Sequence, residues 1–248
     1  MSLVNRIRRN RQSSKGWNIL RTEVISSLFE SEREVVVQAV RYSIQATIAV
    51  GGYSVVYKAV DQDGHEVALK VANVCNEDNE INERLVAEPQ LLMKVKSCLN
   101  VVKLLDHEMI SRELSVIVME LGQETLADVL ARDELTLTDL RRYWSSILSC
   151  VSDLHSNNII HGDIKPENFL LVNGDMKIID LGLSVAMPAN VSSVELDQTY
   201  GTGPYLAPEC EDSRLSRSEG HSKYISTVRS RVFRNMDFIV TLSLSLPV

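Results

Sequence analysis

The sequence predicts an α+β fold with two lobes, in which a β-rich lobe precedes a helical one. The apolar runs Val67–Lys70 and Glu113–Glu120 are rich in β-branched residues, which is typical of buried strands. Between residues 137 and 156, apolar side chains recur at helical spacing, which predicts a long amphipathic helix. A hydrophobic content of 44% and a charged content of 24% fit a globular protein of this kind.

Charge and hydropathy argue against several other classes of protein. A net charge of −7 argues against direct nucleic-acid binding. No apolar run approaches the roughly 18 residues of a membrane span, and the charged start lacks the apolar core of a secretory signal. The four cysteines are scattered without metal-type pairs, which indicates reduced thiols in an intracellular protein.

The chain divides into four predicted parts. Residues 1–41 form an extension that we expect to be partly disordered or helical, and its basic cluster fits either a solvated tail or a nuclear-localisation or docking arm. Residues 42–120 form the first lobe, and residues 121–209 form part of the second. Residues 210–248 form an atypical tail rich in Ser and Arg.

A loop of small residues opens the first lobe. Residues 48–56 read IAVGGYSVV, and small residues let backbone N–H groups approach phosphate oxygens closely. The candidate phosphate-binding positions are Ala49, Gly51, Gly52 and Ser54. Taken alone, the segment fits equally well a strand with a bulge.

One helix is expected in the first lobe, over residues 78–97. Its apolar positions are Ile81, Leu85, Leu92 and Val95. Pro89 lies inside this range, and an internal proline removes a backbone hydrogen bond at a cost of roughly 3 kcal/mol. The helix therefore either bends or begins near Pro89. The long helix 137–156 of the second lobe is expected to bury Leu140, Tyr143, Trp144, Ile147, Leu148, Val151 and Leu154.

The most informative segment is residues 161–182, HGDIKPENFLLVNGDMKIIDLG. Asp163 can accept the proton of a substrate hydroxyl, and Lys165 can neutralise a phosphoryl group in transfer. The runs FLLV and MKIID predict a hairpin with its turn at 173–174, which would bring Asn168 and Asp180 to one end. These two side chains are the candidate magnesium ligands.

Together these segments resemble the catalytic domain of eukaryotic protein kinases, and most closely the monopolar-spindle family of dual-specificity kinases. The resemblance covers residues 42–209 and implies the two-lobed kinase fold. The segments that carry it are Gly51–Ser54, Met119–Gly122, Tyr143–Trp144, His161–Asp163, Asn168–Leu170, Gly201–Tyr205 and Ala207–Glu209. The implied cofactors are ATP and Mg²⁺.

The resemblance also implies roles for residues of the first lobe. Lys70 would pair with the nucleotide phosphates, and an ion pair with Glu88 would hold it there. The backbone after the second strand would form the hinge that hydrogen-bonds adenine, with a gatekeeper side chain behind the pocket. The residues implied for the adenine site are Val56, Ala68, Met119 (the gatekeeper), Glu120, Leu121, Gly122 and Leu170.

The implied reaction is phosphorylation of Ser and Thr hydroxyls in protein substrates, with Tyr as a further candidate. The implied process is the spindle checkpoint, with kinetochore proteins as partners and a nuclear or kinetochore location. No direct nucleic-acid partner and no membrane are expected. The alternative function is a non-catalytic, kinase-like module for ATP binding or protein interaction, and a small-molecule kinase is a third candidate.

The chain departs from the family pattern at several positions. Ala49 replaces the first glycine of the phosphate loop, Leu181 replaces a Phe, and Gly162 stands where most kinases carry Arg. The tail lacks the Asp-x-Trp-Ser-x-Gly segment that normally follows Glu209. A truncated second lobe would support the Asp163 loop poorly, so the chain is expected to be a weak or inactive kinase.

Overall fold

The computed structural model describes residues 33–75, 80–132 and 135–188, with Ile25, Phe29, Gly201, Thr202 and Tyr205 and the backbone of Ser193–Leu196 and Tyr224–Thr227. The described residues form two compact units. The first contains those up to Met93 together with Lys103–Gly122, and the second contains Lys94–Val102 and those from Gln123 onward. The predicted domain limits stay predictions. The basic cluster near the start lies outside the described residues, as does the tail apart from Tyr224–Thr227.

The first unit is built on a six-stranded antiparallel sheet. Its strands are β1 (Glu34–Val37), β2 (Val40–Val50), β3 (Ser54–Asp61), β4 (Glu66–Asn73), β5 (Leu104–Met109) and β6 (Leu114–Glu120), in the order β1-β2-β3-β4-β6-β5. Strand β4 is central, and from Val67 to Asn73 each of its side chains is buried. Both faces of this strand are therefore covered, which suits its apolar and β-branched sequence.

Strand β1 lies upstream of the predicted start of the first lobe. Val35 and Val37 are buried and alternate with exposed neighbours. The β1–β2 turn uses Gln38 and Ala39, both with positive φ, as a two-residue hairpin turn of this kind requires. Gln and Ala are not the residues that usually mark such a turn, so the sequence contained no turn signal there.

The first-lobe helix is shorter than predicted. Helix α1 spans Glu83–Lys94 rather than 78–97, and Pro89 lies inside it. Ile81 precedes the helix, where it forms an isolated bridge with Cys75, and its side chain is exposed. Leu85, Leu92 and Val95 are buried as expected, and Leu91, which was not among the predicted positions, is also buried.

The second unit combines helices with short strands. Its helices are α2 (Leu126–Leu130) and α3 (Leu137–Ser156), and a 3₁₀ turn covers Pro166–Asn168. Its strands are β7 (Glu124–Thr125), β8 (Ile159–Ile160), β9 (Phe169–Val172), β10 (Asp175–Ile178), β11 (Val185–Ala186), β12 (Ser193–Leu196) and β13 (Tyr224–Thr227). They pair as β10-β9-β7, β11-β8 and β12-β13. None of the helices in the described ranges is both long and apolar enough to cross a membrane.

Helix α3 begins and ends at the predicted residues. Thr136 caps it, because the Thr136 hydroxyl accepts from the Asp139 N–H and the Asp139 carboxylate accepts from the Thr136 N–H. Its buried residues are Leu140, Ile147, Cys150, Val151 and Leu154. The prediction that Leu148 is buried is wrong, since this side chain is 36% exposed, and Tyr143 and Trp144 are only half-buried.

The described cysteines are free thiols. These are Cys75, Cys98 and Cys150, and Cys210 lies outside the described residues. Burial in α3 raises the pKa of the Cys150 thiol to about 12, so this thiol is protonated at neutral pH. A buried, protonated thiol is a weak nucleophile.

We predict that Leu154→Ala destabilises the protein far more than Leu148→Ala. Both lie on α3, but Leu154 is fully buried and Leu148 is partly exposed. The first substitution creates a cavity and is expected to lower the free energy of unfolding by about 2–5 kcal/mol. The second is expected to cost less than about 1 kcal/mol. Urea unfolding of both variants provides the measurement, and equal losses would contradict the packing of α3.

Candidate active site

The first unit holds a buried ion pair. Lys70 Nζ on β4 lies 2.7 Å from Glu88 Oε1 and 2.8 Å from Glu88 Oε2 on α1. Both side chains are almost fully buried. A buried ammonium needs a paired carboxylate, because its desolvation is otherwise uncompensated. The pair therefore fixes the lysine head group on one face of the sheet.

Three of the residues implied for the adenine site, Val56, Ala68 and Met119, share that face with Lys70. In the β3–β4–β6 register, Val56 lies opposite Lys70, and Ala68 lies opposite Met119. Lys70 and Ala68 are two residues apart on β4, so their side chains point to the same side. The first unit thus places apolar side chains and a cation on one surface. Leu170 belongs to β9 in the second unit.

The phosphate loop is the exposed end of the β2–β3 hairpin. Ala49 and Val50 close the ladder opposite Val56 and Val55, and the Gly51 N–H donates to the Ser54 carbonyl at 2.7 Å. A Cβ on Gly52 would meet no atom within 4 Å, so space above the loop is open. The backbone at Gly52 is therefore open to close approach by a phosphate group.

The hinge segment follows directly from β6. Glu120 ends this strand and is tied to Lys103, since the Lys103 N–H donates to Glu120 Oε1 at 2.7 Å and the Glu120 N–H donates to the Lys103 carbonyl at 3.1 Å. Leu121 and Gly122 come next, outside regular structure and half-buried. They remain the predicted adenine-binding backbone.

The predicted hairpin of the catalytic segment is confirmed. Strands β9 and β10 pair antiparallel from Phe169 opposite Ile178 to Val172 opposite Asp175. The Ile179 N–H donates to the Asn168 carbonyl at 2.9 Å, which brings Asn168 and Asp180 to the same end. An amide and a carboxylate offer hard oxygen ligands of the type that Mg²⁺ prefers. The donor set of this hairpin end therefore fits a magnesium ion.

Asp163 is the centre of a polar cluster in the second unit. Its Oδ2 lies 2.7 Å from Lys165 Nζ and accepts from Asn168 Nδ2 at 3.1 Å. Its Oδ1 accepts from the Thr202 hydroxyl at 2.8 Å and from the Thr202 N–H at 2.9 Å. Lys165 Nζ also donates to the Thr202 hydroxyl oxygen at 2.9 Å. The carboxylate thus binds an alcohol while an ammonium lies beside it.

His161 orients this cluster as a neutral imidazole. Its Nδ1 accepts from the Asp163 N–H at 3.2 Å, so Nε2 carries the proton and donates to the Ile179 carbonyl at 2.9 Å. Complete burial holds the pKa of His161 below its usual range, against the opposing effect of the Ile179 hydrogen bond. One ring therefore links the Asp163 loop to the backbone just before Asp180.

Gly162 is required by the local backbone. Its φ is +85°, and a Cβ built there would lie 2.5 Å from the Leu183 carbonyl oxygen. An Arg at this position, as in most kinases, would force the two segments apart. The departure from the common kinase pattern thus has a steric reason in this chain.

The segment around Asp180 is tightly folded. Asp180 is exposed with a φ of +61°, and its Oδ1 accepts from the Gly182 N–H at 3.2 Å. Leu181, which replaces the usual Phe, is fully buried. The Ser184 hydroxyl donates to the His161 carbonyl at 2.9 Å, which ties this segment to the catalytic loop.

Thr202 is the functional candidate that the sequence analysis did not connect with Asp163. The two residues are 39 apart in the chain, so no local pattern indicates their contact. The available signal was the Gly-Thr-Gly-Pro-Tyr segment that contributed to the kinase resemblance.

We predict that breaking the buried ion pair is more damaging than removing it. Lys70→Met alone leaves the Glu88 carboxylate buried without its ammonium, which is expected to cost about 3–5 kcal/mol of unfolding free energy. The double variant Lys70→Met/Glu88→Leu is expected to recover most of that loss. Urea unfolding of the single and double variants measures the difference, and additive losses would contradict a direct pair.

We predict that the neutral His161 makes the fold sensitive to acid. Because its pKa is lowered on folding, the unfolded chain binds more protons once the pH falls below about 6.5. Its stabilising contribution is therefore present above that pH and is lost as the pH falls. The melting temperature of the wild type is expected to drop more steeply between pH 7.5 and pH 5.5, roughly one unit either side of the unfolded His pKa, than that of His161→Gln.

Burial also lowers the pKa of His155. His161→Gln is therefore expected to keep part of the pH dependence of the melting temperature. The decisive quantity is the pH slope and not the absolute melting temperature, since His161→Gln also loses hydrogen bonds. Identical slopes would mean that His161 is not held neutral.

Comparison with known proteins agrees with this geometry. A sequence profile described as "Protein kinase domain" matches residues 42–224. Serine/threonine-protein kinase mph1 of Schizosaccharomyces pombe is 34% identical over 168 residues, which is 65% of this chain and 25% of that protein. Dual specificity protein kinase Ttk of Danio rerio is 31% identical over 204 residues, which is 82% of this chain and 21% of that protein.

Serine/threonine-protein kinase MPS1 of Saccharomyces cerevisiae is 32% identical over 187 residues, which is 74% of this chain and 24% of that protein. The chain thus spans about a quarter of the length of these curated relatives. The expected kinase resemblance and the α+β fold are confirmed. This chain belongs to the protein kinase family.

Proposed function

We propose that the chain is an ATP-dependent protein kinase that phosphorylates Ser and Thr hydroxyls, with Tyr as a further substrate by analogy with the dual-specificity relatives. One observation carries the proposal. A buried carboxylate, Asp163, accepts a hydrogen bond from the Thr202 hydroxyl at 2.8 Å, and Lys165 Nζ lies 2.9 Å from the same hydroxyl oxygen. A substrate hydroxyl needs the same two partners during phosphoryl transfer.

The proposed roles in the second unit follow from these contacts. Asp163 holds the substrate hydroxyl, orients its oxygen toward the γ-phosphorus and accepts its proton. Lys165, 2.7 Å from Asp163 Oδ2, stabilises the charge on the transferred group. A new oxygen–phosphorus bond forms while the bond to the leaving diphosphate oxygen breaks. Thr202 marks the place at which such a hydroxyl binds.

Lys70 has the proposed role of holding the nucleotide phosphates. Glu88 keeps the ammonium in place, because both of its carboxylate oxygens contact Lys70 Nζ. The exposed loop around Gly52 would let a phosphate group approach the backbone closely beside Lys70. Bound Mg·ATP supplies the phosphoryl group and the divalent charge.

Asn168 and Asp180 are the proposed magnesium ligands. The amide nitrogen of Asn168 donates to the Asp163 carbonyl and carboxylate, so the amide oxygen is the atom that remains to face a metal. The Asp180 side chain is exposed and accepts from a backbone N–H of its own turn. Oxygen ligands from one hairpin end suit the octahedral preference of Mg²⁺.

The resemblance to the monopolar-spindle family extends the proposal to a cellular process. The protein substrates would be kinetochore components of the spindle checkpoint, and the location would be the nucleus or kinetochore. These finer assignments rest on the resemblance to the monopolar-spindle family.

We predict that Asp163→Asn lowers kcat for phosphorylation of a generic basic protein by roughly 10²–10⁴-fold, because the proton acceptor is lost. Affinity for Mg·ATP, measured by calorimetry, is expected to stay within about threefold, since Asp163 is not a proposed phosphate ligand. Transfer of radiolabelled phosphate from ATP measures kcat.

The matched control is Glu167→Gln, which neutralises an exposed carboxylate in the same loop. It is expected to keep wild-type activity. Asp180→Asn separates the two functions of the site, because loss of a metal ligand is expected to weaken Mg·ATP binding as well as turnover. A rate of transfer by the folded wild type that does not exceed that of Asp163→Asn would refute catalysis and would favour the alternative, a non-catalytic, kinase-like module.

A further inference from the structure

We propose that the segment containing Ile25 and Phe29, which lies ahead of the family match at residues 42–224, is part of the kinase folding unit, and that Phe29 is a positioning residue for Lys70. The proposal rests on the proposed function, because Lys70 matters there as a nucleotide ligand. It concerns residues that the sequence analysis assigned to an extension outside the lobe.

The burial of Ile25 and Phe29 is the first observation that supports the proposal. Ile25 and Phe29 are both helical and both fully buried. They are four residues apart, which is the spacing of neighbouring side chains on one helix face. The Phe29 ring stacks on Tyr57 of β3, with ring centroids 5.7 Å apart and an interplanar angle of 17°. A solvated tail would not bury two large apolar side chains to this extent.

Two backbone hydrogen bonds of Arg33 connect Phe29 with the sheet. The Arg33 N–H donates to the Phe29 carbonyl at 3.0 Å, and Arg33 has a φ of 54°. This is the left-handed residue that commonly ends a helix. The Arg33 carbonyl then accepts from the Ile44 N–H of β2 at 2.8 Å, and β1 begins at the next residue.

The alternation of β4 connects this packing with the nucleotide site. Val67, Leu69 and Val71 belong to the same buried cluster as Ile25 and Phe29. Lys70 lies between Leu69 and Val71, so its side chain points to the opposite face of the same strand. The position of the Lys70 backbone therefore depends on how well the Phe29 side of the sheet is filled.

Because protein interiors are close-packed, a void on one face of the sheet shifts its strands and so moves the side chains on the other face. Loss of the Phe29 ring would leave a void beside Tyr57, and strands β3 and β4 would relax toward it. Lys70 and its partner Val56 on β3 would move with them. A displacement of about 1 Å at a positioning group is enough to change rates or affinities by up to ~10²-fold.

The test uses the full chain with three single substitutions. Phe29→Ala removes the ring, Phe29→Leu retains an apolar filler, and Val36→Ala is the control, because Val36 is an exposed apolar residue on the neighbouring strand β1. The readouts are the melting temperature and the Kd for Mg·ATP, measured by calorimetry well below the melting temperature of every variant.

Phe29→Ala is expected to lower the melting temperature by roughly 10 °C and to raise the Kd about tenfold. Phe29→Leu is expected to fall between it and the wild type, which keeps the test decisive if the alanine variant does not fold. Val36→Ala is expected to match the wild type in both measurements.

A second comparison asks whether Phe29 acts through Lys70. In the Lys70→Met/Glu88→Leu background, Phe29→Ala is expected to leave the Kd almost unchanged, because the group that it positions is gone. The same rise in Kd in both backgrounds would overturn the positioning role, as would a lowered melting temperature with an unchanged Kd. An unchanged melting temperature would overturn the packing itself.

Failure of the proposed function gives a different result. If the folded wild type does not bind Mg·ATP, the nucleotide role of Lys70 and the positioning role of Phe29 are both refuted. The melting temperatures of the three variants still decide whether the segment belongs to the folding unit.

Discussion

The first unit is organised by the need to neutralise a buried charge. Lys70 lies in the centre of a strand with both faces covered, so its ammonium would be expensive without a partner. Glu88 meets that need from α1, and the two contacts below 3 Å fix the helix against the sheet. Burying the two charges costs desolvation free energy. Their pairing holds the Lys70 ammonium in the position that the proposed reaction requires. The neighbouring side chains on that face include Val56, Ala68 and Met119, which are all apolar.

In the second unit, the main constraint is different: polar groups from distant parts of the chain come together on short segments. Helix α3 contacts β10 of the hairpin, while Asp163 lies on irregular backbone and Asn168 ends the short 3₁₀ turn just before β9. The N–H and C=O groups of irregular backbone need hydrogen-bond partners from side chains or from other segments, because no neighbouring strand pairs with them. His161 provides two of them, and Gly162 permits the close approach of the Leu183 carbonyl. The loop is thereby defined by its neighbours and not by regular structure.

Sequence reasoning succeeded where a local pattern determines a local structure. The limits of α3 follow from helical periodicity, and the β9–β10 hairpin follows from Asn173-Gly174 between two apolar runs. It failed where the determinant is remote or atypical. The β1–β2 turn uses Gln and Ala, which do not indicate a turn in a sequence. The Thr202–Asp163 contact joins residues too far apart in the chain for any spacing rule.

The boundary of the family match and the boundary of the fold are set by different constraints. A profile begins where residue types become characteristic of the family, which here is residue 42. A folding unit begins where apolar surface is first buried, which here is no later than Ile25. Burial of Phe29 against Tyr57 needs only an apolar ring of suitable size, so it leaves a weak mark in the sequence. The alternation of β4 means that this inconspicuous packing and the conspicuous Lys70 lie on two faces of one strand, and neither can shift without the other.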